Sequence, residues 1–333
     1  VEVIRVDPLA PAPEAIRKAA ELLAGGGLVA FPTETVYGLG GMMRNPAAVA
    51  RIYAAKGRPD TSPLILHLPD VAAVRKVVSR WPHEAAELAR RFWPGPLTLV
   101  LPRGAQVPDT VTGGLDTVGV RIPSHPVALA LLRAVGEPVA APSANPFTGL
   151  SPTAAAHVVR GLGNRVDLIL DGGPTPRGIE STVVALEEEG PVLLRPGALA
   201  THELEGVVGP LRRLPHALDP SPSAPSPGMS PRHYAPRARL RLFSPGDPTV
   251  VGEVEEIRGA GGAVGGLLLS PFPGGVDHPV PMPGDPAAYE RLLYATLHSL
   301  DEQGCELILA ERVPEGAGWE GVRDRLQRGS HPG

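Results

Sequence analysis

Apolar positions along the chain switch between a period near 3.6 and a period of two, and this switching predicts the element order. Residues 14–24 place Ile16, Ala19, Ala20 and Leu23 on one helical face, with Pro13 suited to the first turn and Gly25 to the stop. A short apolar strand at 28–31 feeds a loop at 32–41. Asn45 and Pro46 read as the N-cap and first residue of a helix carrying Val49, Ile52 and Tyr53, which must stop near Gly57 and Pro59. Strands follow at 63–68, 97–101, 117–122, 138–141, 166–170, 181–186 and 192–195, the last two as a hairpin turning at 188–190. Between them the pattern predicts helices at 71–80, 83–93 and 126–135, and a further helix capped by Ser151 and Pro152. The first residues, VEVIRVDPLAP, alternate like a strand.

At 215–236 the pattern dissolves into PHALDPSPSAPSPGMSPRHYAP, whose prolines and missing apolar period predict an extended, stiff linker. Beyond it the chain resumes with strands at 239–243, 264–269 and 306–310 and helices at 247–258, 287–303 and 319–327. The fold class is therefore α/β: a mixed twisted sheet with helices, followed by a smaller doubly wound, Rossmann-like α/β domain. The expected domains are 1–210, a linker at 211–237, and 238–330, a division that suits 333 residues.

Composition narrows the function classes. A hydrophobic fraction of 43% against 20% charged residues is that of a soluble globular protein, and no apolar run approaches a membrane span. The N-terminus lacks the features of a secretory signal, so the expected compartment is the cytoplasm. A net charge of -4 weighs against tight nucleic-acid binding, which feeds on surplus Lys and Arg. The single cysteine, Cys305, excludes an internal disulfide and a CxxC site, and reads as a small core residue.

Candidate chemistry clusters at strand ends, where α/β proteins bind ligands. The segment FPTETVYGLG packs two threonines, a glutamate and a tyrosine after a buried strand; composition alone equally allows an ordinary turn. Lys56 and Arg58 deliver two cations at a helix end, either as phosphate ligands or as solvated charges complementing the helix dipole. In TVGVRI, Arg121 shares a strand face with Thr117 and Gly119. A buried arginine there must meet an anion, either a protein carboxylate or a substrate carboxylate. His67 presents the same choice between core and site. PSAN supplies Ser143 and Asn145, LLRPG supplies Arg195, and GIEST supplies Ser181 at the start of the next strand.

Taken together, FPTETVYGLG, KGRP, PLILH, WPGPLT, GLDTVGVRIP, APSAN, DGG, GIEST, LLRPG and SPGMSPRHYAP follow a definite order. In that order they resemble the long form of the L-threonylcarbamoyladenylate synthases, YrdC-type enzymes with a C-terminal extension. The resemblance is dense over residues 1–238 and rests on position and size beyond. It implies a YrdC-like catalytic domain and a nucleotidyltransferase that makes threonylcarbamoyl-AMP and pyrophosphate from L-threonine, bicarbonate and ATP with Mg²⁺. It also implies a downstream tRNA threonylcarbamoyl transferase complex as partner.

Carried over by motif, Lys56, Arg58, Ser143 and Asn145 are implied as catalytic and nucleotide contacts. Thr117, Ser151, Arg195 and Tyr234 are implied as further ATP contacts, Tyr234 arriving from the linker as part of a lid. Thr33, His67, Arg121 and Ser181 are implied as threonine contacts, and no protein metal ligand is implied. Two departures stand out: Ser230, Pro231 and Arg232 precede HYAP, and Asp324 precedes Arg325 where the family usually has an Asn-Arg pair. The competing readings are a carbamoyl-adenylate-forming carbamoyltransferase, for which partner domains are missing, and a non-enzymatic RNA-binding module, which conflicts with the charge balance.

Overall fold

The computed structural model describes residues 1–213 and 232–332. The first part runs β1 (Glu2–Arg5), α1 (Pro13–Ala24), β2 (Val29–Pro32), β3 (Tyr37–Met42), α2 (Pro46–Lys56), β4 (Ile65–His67), α3 (Val71–Val77) and α4 (His83–Phe92). It continues with β5 (Leu97–Pro102), α5 (Asp109–Thr112), β6 (Thr117–Arg121), α6 (Pro126–Val135), β7 (Val139–Ala140), α7 (Ala155–Leu162) and β8 (Leu168–Asp171). It closes with β9 (Thr182–Glu187), β10 (Gly190–Arg195), α8 (Thr201–Val208) and β11 (Arg212–Arg213). The eleven strands form one mixed sheet in the order β1-β8-β2-β3-β7-β4-β6-β5-β9-β10-β11. Apolar faces of α2, α3 and α4 bury one side of it, and α1 with α6 buries part of the other. That layering is what an amphipathic helix on a two-sided sheet requires.

The second part holds β12 (Arg239–Phe243), α9 (Pro248–Gly259), β13 (Ala263–Leu268), β14 (His278–Pro281), α10 (Pro286–Glu302), β15 (Cys305–Glu311) and α11 (Glu320–Gly329). Its strands pair in parallel in the order β12-β15-β13-β14. Cys305 is buried at the start of β15. Most of the expected linker lies outside the described residues, but 232–237 is described and packs between the two parts. Their cores are continuous: Val36, Leu150, Ile179 and Ala198 of the first part share one cluster with Tyr234, Tyr294, Trp319 and Val322.

Local chemistry explains why α2 presents its C-terminus to the site. The Asn45 side chain accepts from the backbone N–H groups of Ala47 and Ala48, Pro46 opens the helix, and Gly57 ends it at φ 63°. Only a residue without a Cβ takes that left-handed conformation without strain. The chain therefore leaves the helix between Lys56 and Arg58.

Several expectations are corrected. The loop predicted at 32–41 is only a tight turn at 33–36, because Tyr37–Met42 is a strand antiparallel to β2. Its glycines serve close packing rather than turning: a Cβ on Gly40 would sit 2.8 Å from the Phe31 ring. Ser151 and Pro152 do not cap a helix; α7 begins four residues later, after Ala154. The Ser151 hydroxyl instead donates to the buried Glu180 carboxylate. Short α5, α8, β11 and the proline-flanked β14 escaped the sequence pattern.

Candidate active site

Seven strand termini converge on one cavity. The β2–β3 turn brings Thr33 and Thr35, β4 ends at His67, β6 ends at Arg121, and the segment after β7 brings Ser143. Ser181 precedes β9, and Arg195 ends β10. Strands β4 and β6 run parallel with His67 opposite Arg121, which is why the imidazole and the guanidinium reach the same end. His233 and Tyr234 close the cavity from above, with Arg58 and Glu180 on its wall. Its volume is about 50 Å³, against roughly 300–1,000 Å³ for pockets that enclose small-molecule ligands. The cavity is thus closed down below the size of such a ligand, with His233 and Tyr234 on its lining. Tyr234 holds φ 59°, a costly conformation for a bulky residue.

The cations are organised by buried acceptors. Lys56 Nζ donates to the carbonyls of Ser143 and Asn145, both at 2.6 Å, with Asn145 Oδ1 at 3.5 Å. It stands one hydrogen bond behind Ser143 rather than on the cavity wall. Burial, then the nearby Arg58, holds the ammonium well below its ordinary pKa. Burial likewise lowers the Arg58 guanidinium to about 10, while its Nη2 donates to Pro63 O at 2.9 Å and its guanidinium carbon lies 5.6 Å from the centre of the Phe147 ring. Arg195 donates to the Ser181 carbonyl at 2.9 Å and to the Tyr234 hydroxyl at 3.4 Å.

At the other end, Arg121 Nη2 donates to Glu34 Oε1 at 2.7 Å and its Nε to Gly95 O at 3.3 Å. Of the two anions the sequence left open, the closed state shows the protein carboxylate. Thr33 also has a local duty, since its hydroxyl donates to Val36 O at 2.6 Å and closes the turn. The Nδ1 atoms of His67 and His233 are buried without a hydrogen-bond partner, and both residues line the cavity. Buried polar atoms are rarely left so, and a ligand supplying donors or acceptors answers the deficit.

Ten of the twelve residues singled out from sequence thus form one assembly. Thr33, Arg58, His67, Arg121, Ser143, Ser181, Arg195 and Tyr234 line the cavity, with Lys56 and Asn145 behind them. Ser151 joins only through Glu180. Thr117 sits outside the lining at the opposite end of β6, about 13 Å from Arg121 by strand rise. Glu34, Glu180 and His233 were missed. Each lies inside a quoted motif, and a carboxylate amid cations was the signal for the first two.

His67 gives a stability prediction. Burial, then Arg121, depresses its pKa to about 3, while the unfolded chain takes up that proton near 6.5. Below pH 6.5 the unfolded state binds more protons, so the stability is full above that pH. It is lost as pH falls towards 3, at about 1.4 kcal/mol per pH unit for this residue. The expected result is a melting temperature that drops between pH 7 and pH 5, with a shallower drop in His67→Gln; an unchanged slope in that variant would refute the assignment.

The layered sheet and the cation-lined cavity at its strand ends define an α/β protein with a buried, positively lined cavity. Comparison with known proteins narrows this. The family model described as "Telomere recombination" (Sua5, YciO and YrdC) matches residues 21–197, and that described as "Threonylcarbamoyl-AMP synthase, C-terminal domain" matches 199–330. The chain is 42% identical over 320 residues to the threonylcarbamoyl-AMP synthase of Pyrococcus abyssi, covering 95% of this chain and 94% of the relative. It is 41% identical over 319 residues to that of Bacillus subtilis, covering 94% and 92%. The crystal structure of P. abyssi Sua5 complexed with L-threonine superposes with a TM-score of 0.93 at 40% identity, covering 99% of this chain and 98% of that one. The chain belongs to the threonylcarbamoyl-AMP synthase family and is an enzyme of the nucleotidyltransferase type. Among the described residues no helix is long and apolar enough to cross a membrane.

Proposed function

We propose that this enzyme combines L-threonine, bicarbonate and ATP to give threonylcarbamoyl-AMP, pyrophosphate and water, in the cytoplasm. The observation that carries the reading is the convergence of Arg58, Arg121 and Arg195 on one cavity with Lys56 behind it. The relative solved with L-threonine supports the amino acid as substrate.

The amine of threonine attacks the carbon of bicarbonate, with loss of water, to give a carbamate. A carbamate oxygen then attacks the α-phosphorus of ATP, and pyrophosphate leaves. Each participant brings an anionic group, so charge neutralisation and positioning supply most of the catalysis, with no covalent enzyme intermediate. Arg121, His67, Thr33 and Ser181 hold threonine, Arg121 taking the carboxylate. Lys56, Arg58, Ser143, Asn145 and Arg195 hold the phosphates and nucleotide, with Thr117 and Ser151 as outlying contacts. A neutral His67 accepts a hydrogen bond without repelling the substrate amine.

ATP arrives as its magnesium complex. Among the described residues no cluster of three or more His, Cys, Asp or Glu is placed to hold a metal, and Glu34 and Glu180 are already paired with arginines. On this reading the triphosphate itself would hold the ion. Because the closed cavity is too small for a nucleotide, the segment bearing His233 and Tyr234 must lift for ATP to enter, then settle over it as a lid. The product is an activated acyl donor, suited to a downstream tRNA threonylcarbamoyl transferase complex.

The test is pyrophosphate release from ATP with each substrate omitted in turn. Release is expected only when L-threonine and bicarbonate are both present, and threonine-independent release would overturn the reading.

A further inference from the structure

The last helix of the second domain reaches into the cavity wall of the first. Arg325, on α11, is 1% exposed. Its Nε donates to Glu180 Oε2 at 2.7 Å and its Nη1 to Pro196 O at 2.8 Å. Its guanidinium carbon lies 4.7 Å from the centre of the Tyr234 ring. One side chain therefore grips the three cavity-side segments that carry Glu180, the end of β10 and the closing tyrosine.

The backbone around it confirms that this contact is built. A Cβ on Gly321, one turn earlier on α11, would sit 2.9 Å from the Gly197 carbonyl, and a Cβ on Gly178 would sit 2.5 Å from the Glu290 carbonyl. Glycine lets α10 and α11 press directly onto the loops that flank Glu180 and Arg195. Asp324 completes the arrangement, accepting from Arg325 at 2.7 Å and from Arg328 at 2.9 Å.

Glu180 is the reason the grip matters. It is a buried carboxylate on the wall of a cavity that, on the proposed function, must receive phosphates. Burial alone would push its pKa up, but Arg325 and then Arg195, with the Ser151 hydroxyl, hold it below the usual carboxylate range. Glu180 also attracts Lys56. Without Arg325, the carboxylate's remaining cations are the ones ATP needs, and its own charge repels the phosphates.

We propose that Arg325 is a positioning residue for the nucleotide site: it neutralises Glu180 so that Lys56 and Arg195 stay available to ATP, and it supports the Tyr234 ring that closes over them. The second domain is then part of the nucleotide site rather than an appendage. By linkage, whatever docking contributes to ATP affinity, ATP returns to docking.

The experiment compares the full-length wild type, Arg325→Met, Glu180→Gln and Arg325→Met/Glu180→Gln for binding of a non-hydrolysable ATP analogue and for KM of each substrate. Arg325→Met is expected to weaken ATP binding about tenfold or more while moving the L-threonine KM by under about threefold. The double variant is expected to bind ATP within about threefold of Glu180→Gln alone, because the unneutralised carboxylate is gone. A merely structural Arg325 predicts equal loss for both substrates and no rescue, and that result overturns the proposal. Should Arg325→Met fail to fold, the same comparison is read between Arg325→Gln and Arg325→Gln/Glu180→Gln. A wild type that binds the ATP analogue but releases no pyrophosphate refutes the proposed reaction alone; a wild type that does not bind it refutes both.

Discussion

A Lys56→Met variant is expected to lose adenylate formation by about 100- to 1,000-fold, the range seen when one preorganised donor is removed from a transition-state site. Methionine keeps the length and apolar stem of lysine but offers no donor. The Ser143 and Asn145 carbonyls, both 2.6 Å from Nζ, then lose their charged partner, at about 1–3 kcal/mol for each acceptor left buried and unsatisfied. The segment carrying Ser143 loosens at the point where phosphates must be held. Threonine binding is expected to survive, since Arg121 and His67 sit at the end of other strands. Titration calorimetry with L-threonine, beside pyrophosphate release, separates the two effects. Near-normal turnover in a folded Lys56→Met would remove Lys56 from the phosphate site.

Lys56 also shows how much of the site was legible in sequence. Asn45, Pro46 and Gly57 announce the start and stop of α2 through local backbone chemistry, so the place where Lys56 and Arg58 emerge follows from a dozen residues. The same holds for Pro126 and Gly136 bounding α6. Such signals are short-range and survive without the tertiary structure. What a lysine meets is not short-range: its two acceptors lie 87 and 89 residues away.

Strand Tyr37–Met42 was hidden for a related reason. Three glycines in six residues read as a loop, and only the Phe31 ring and the Ile52 side chain reveal that the small residues make room for neighbours. Ser151 followed by proline has the local signature of a cap, but a buried carboxylate 29 residues on competes for its hydroxyl and wins. Thr117 was carried over by motif, and although it shares a strand face with Arg121, strand parity carries no information about distance along the strand. Arg325 was noticed only as the neighbour of Asp324, where the motif departs, because its partner Glu180 is 145 residues earlier. Element order and the cation-bearing motifs were thus readable, whereas the pairing of buried charges was not.

The pairing matters most at Arg121. Arg121→Ala is expected to raise the L-threonine KM by about 100-fold or more while changing that for ATP by under about threefold. Hydrogen bonds to charged groups contribute about 1.5–3 kcal/mol each, and a guanidinium meets a carboxylate with two, so their loss spans at least about two factors of ten. The bonds to Glu34 and Gly95 use Nη2 and Nε, which leaves Nη1 donors for a substrate carboxylate. The single variant also strands Glu34, which is 5% exposed, without its cation, a loss that is strongly destabilising for a buried pair. Arg121→Ala/Glu34→Gln removes that charge and should recover thermal stability without recovering threonine affinity. Steady-state kinetics with each substrate varied, read beside melting curves, distinguish the cases. Recovery of threonine affinity in the double variant, or equal losses for threonine and ATP, would show that Arg121 holds the fold rather than the substrate.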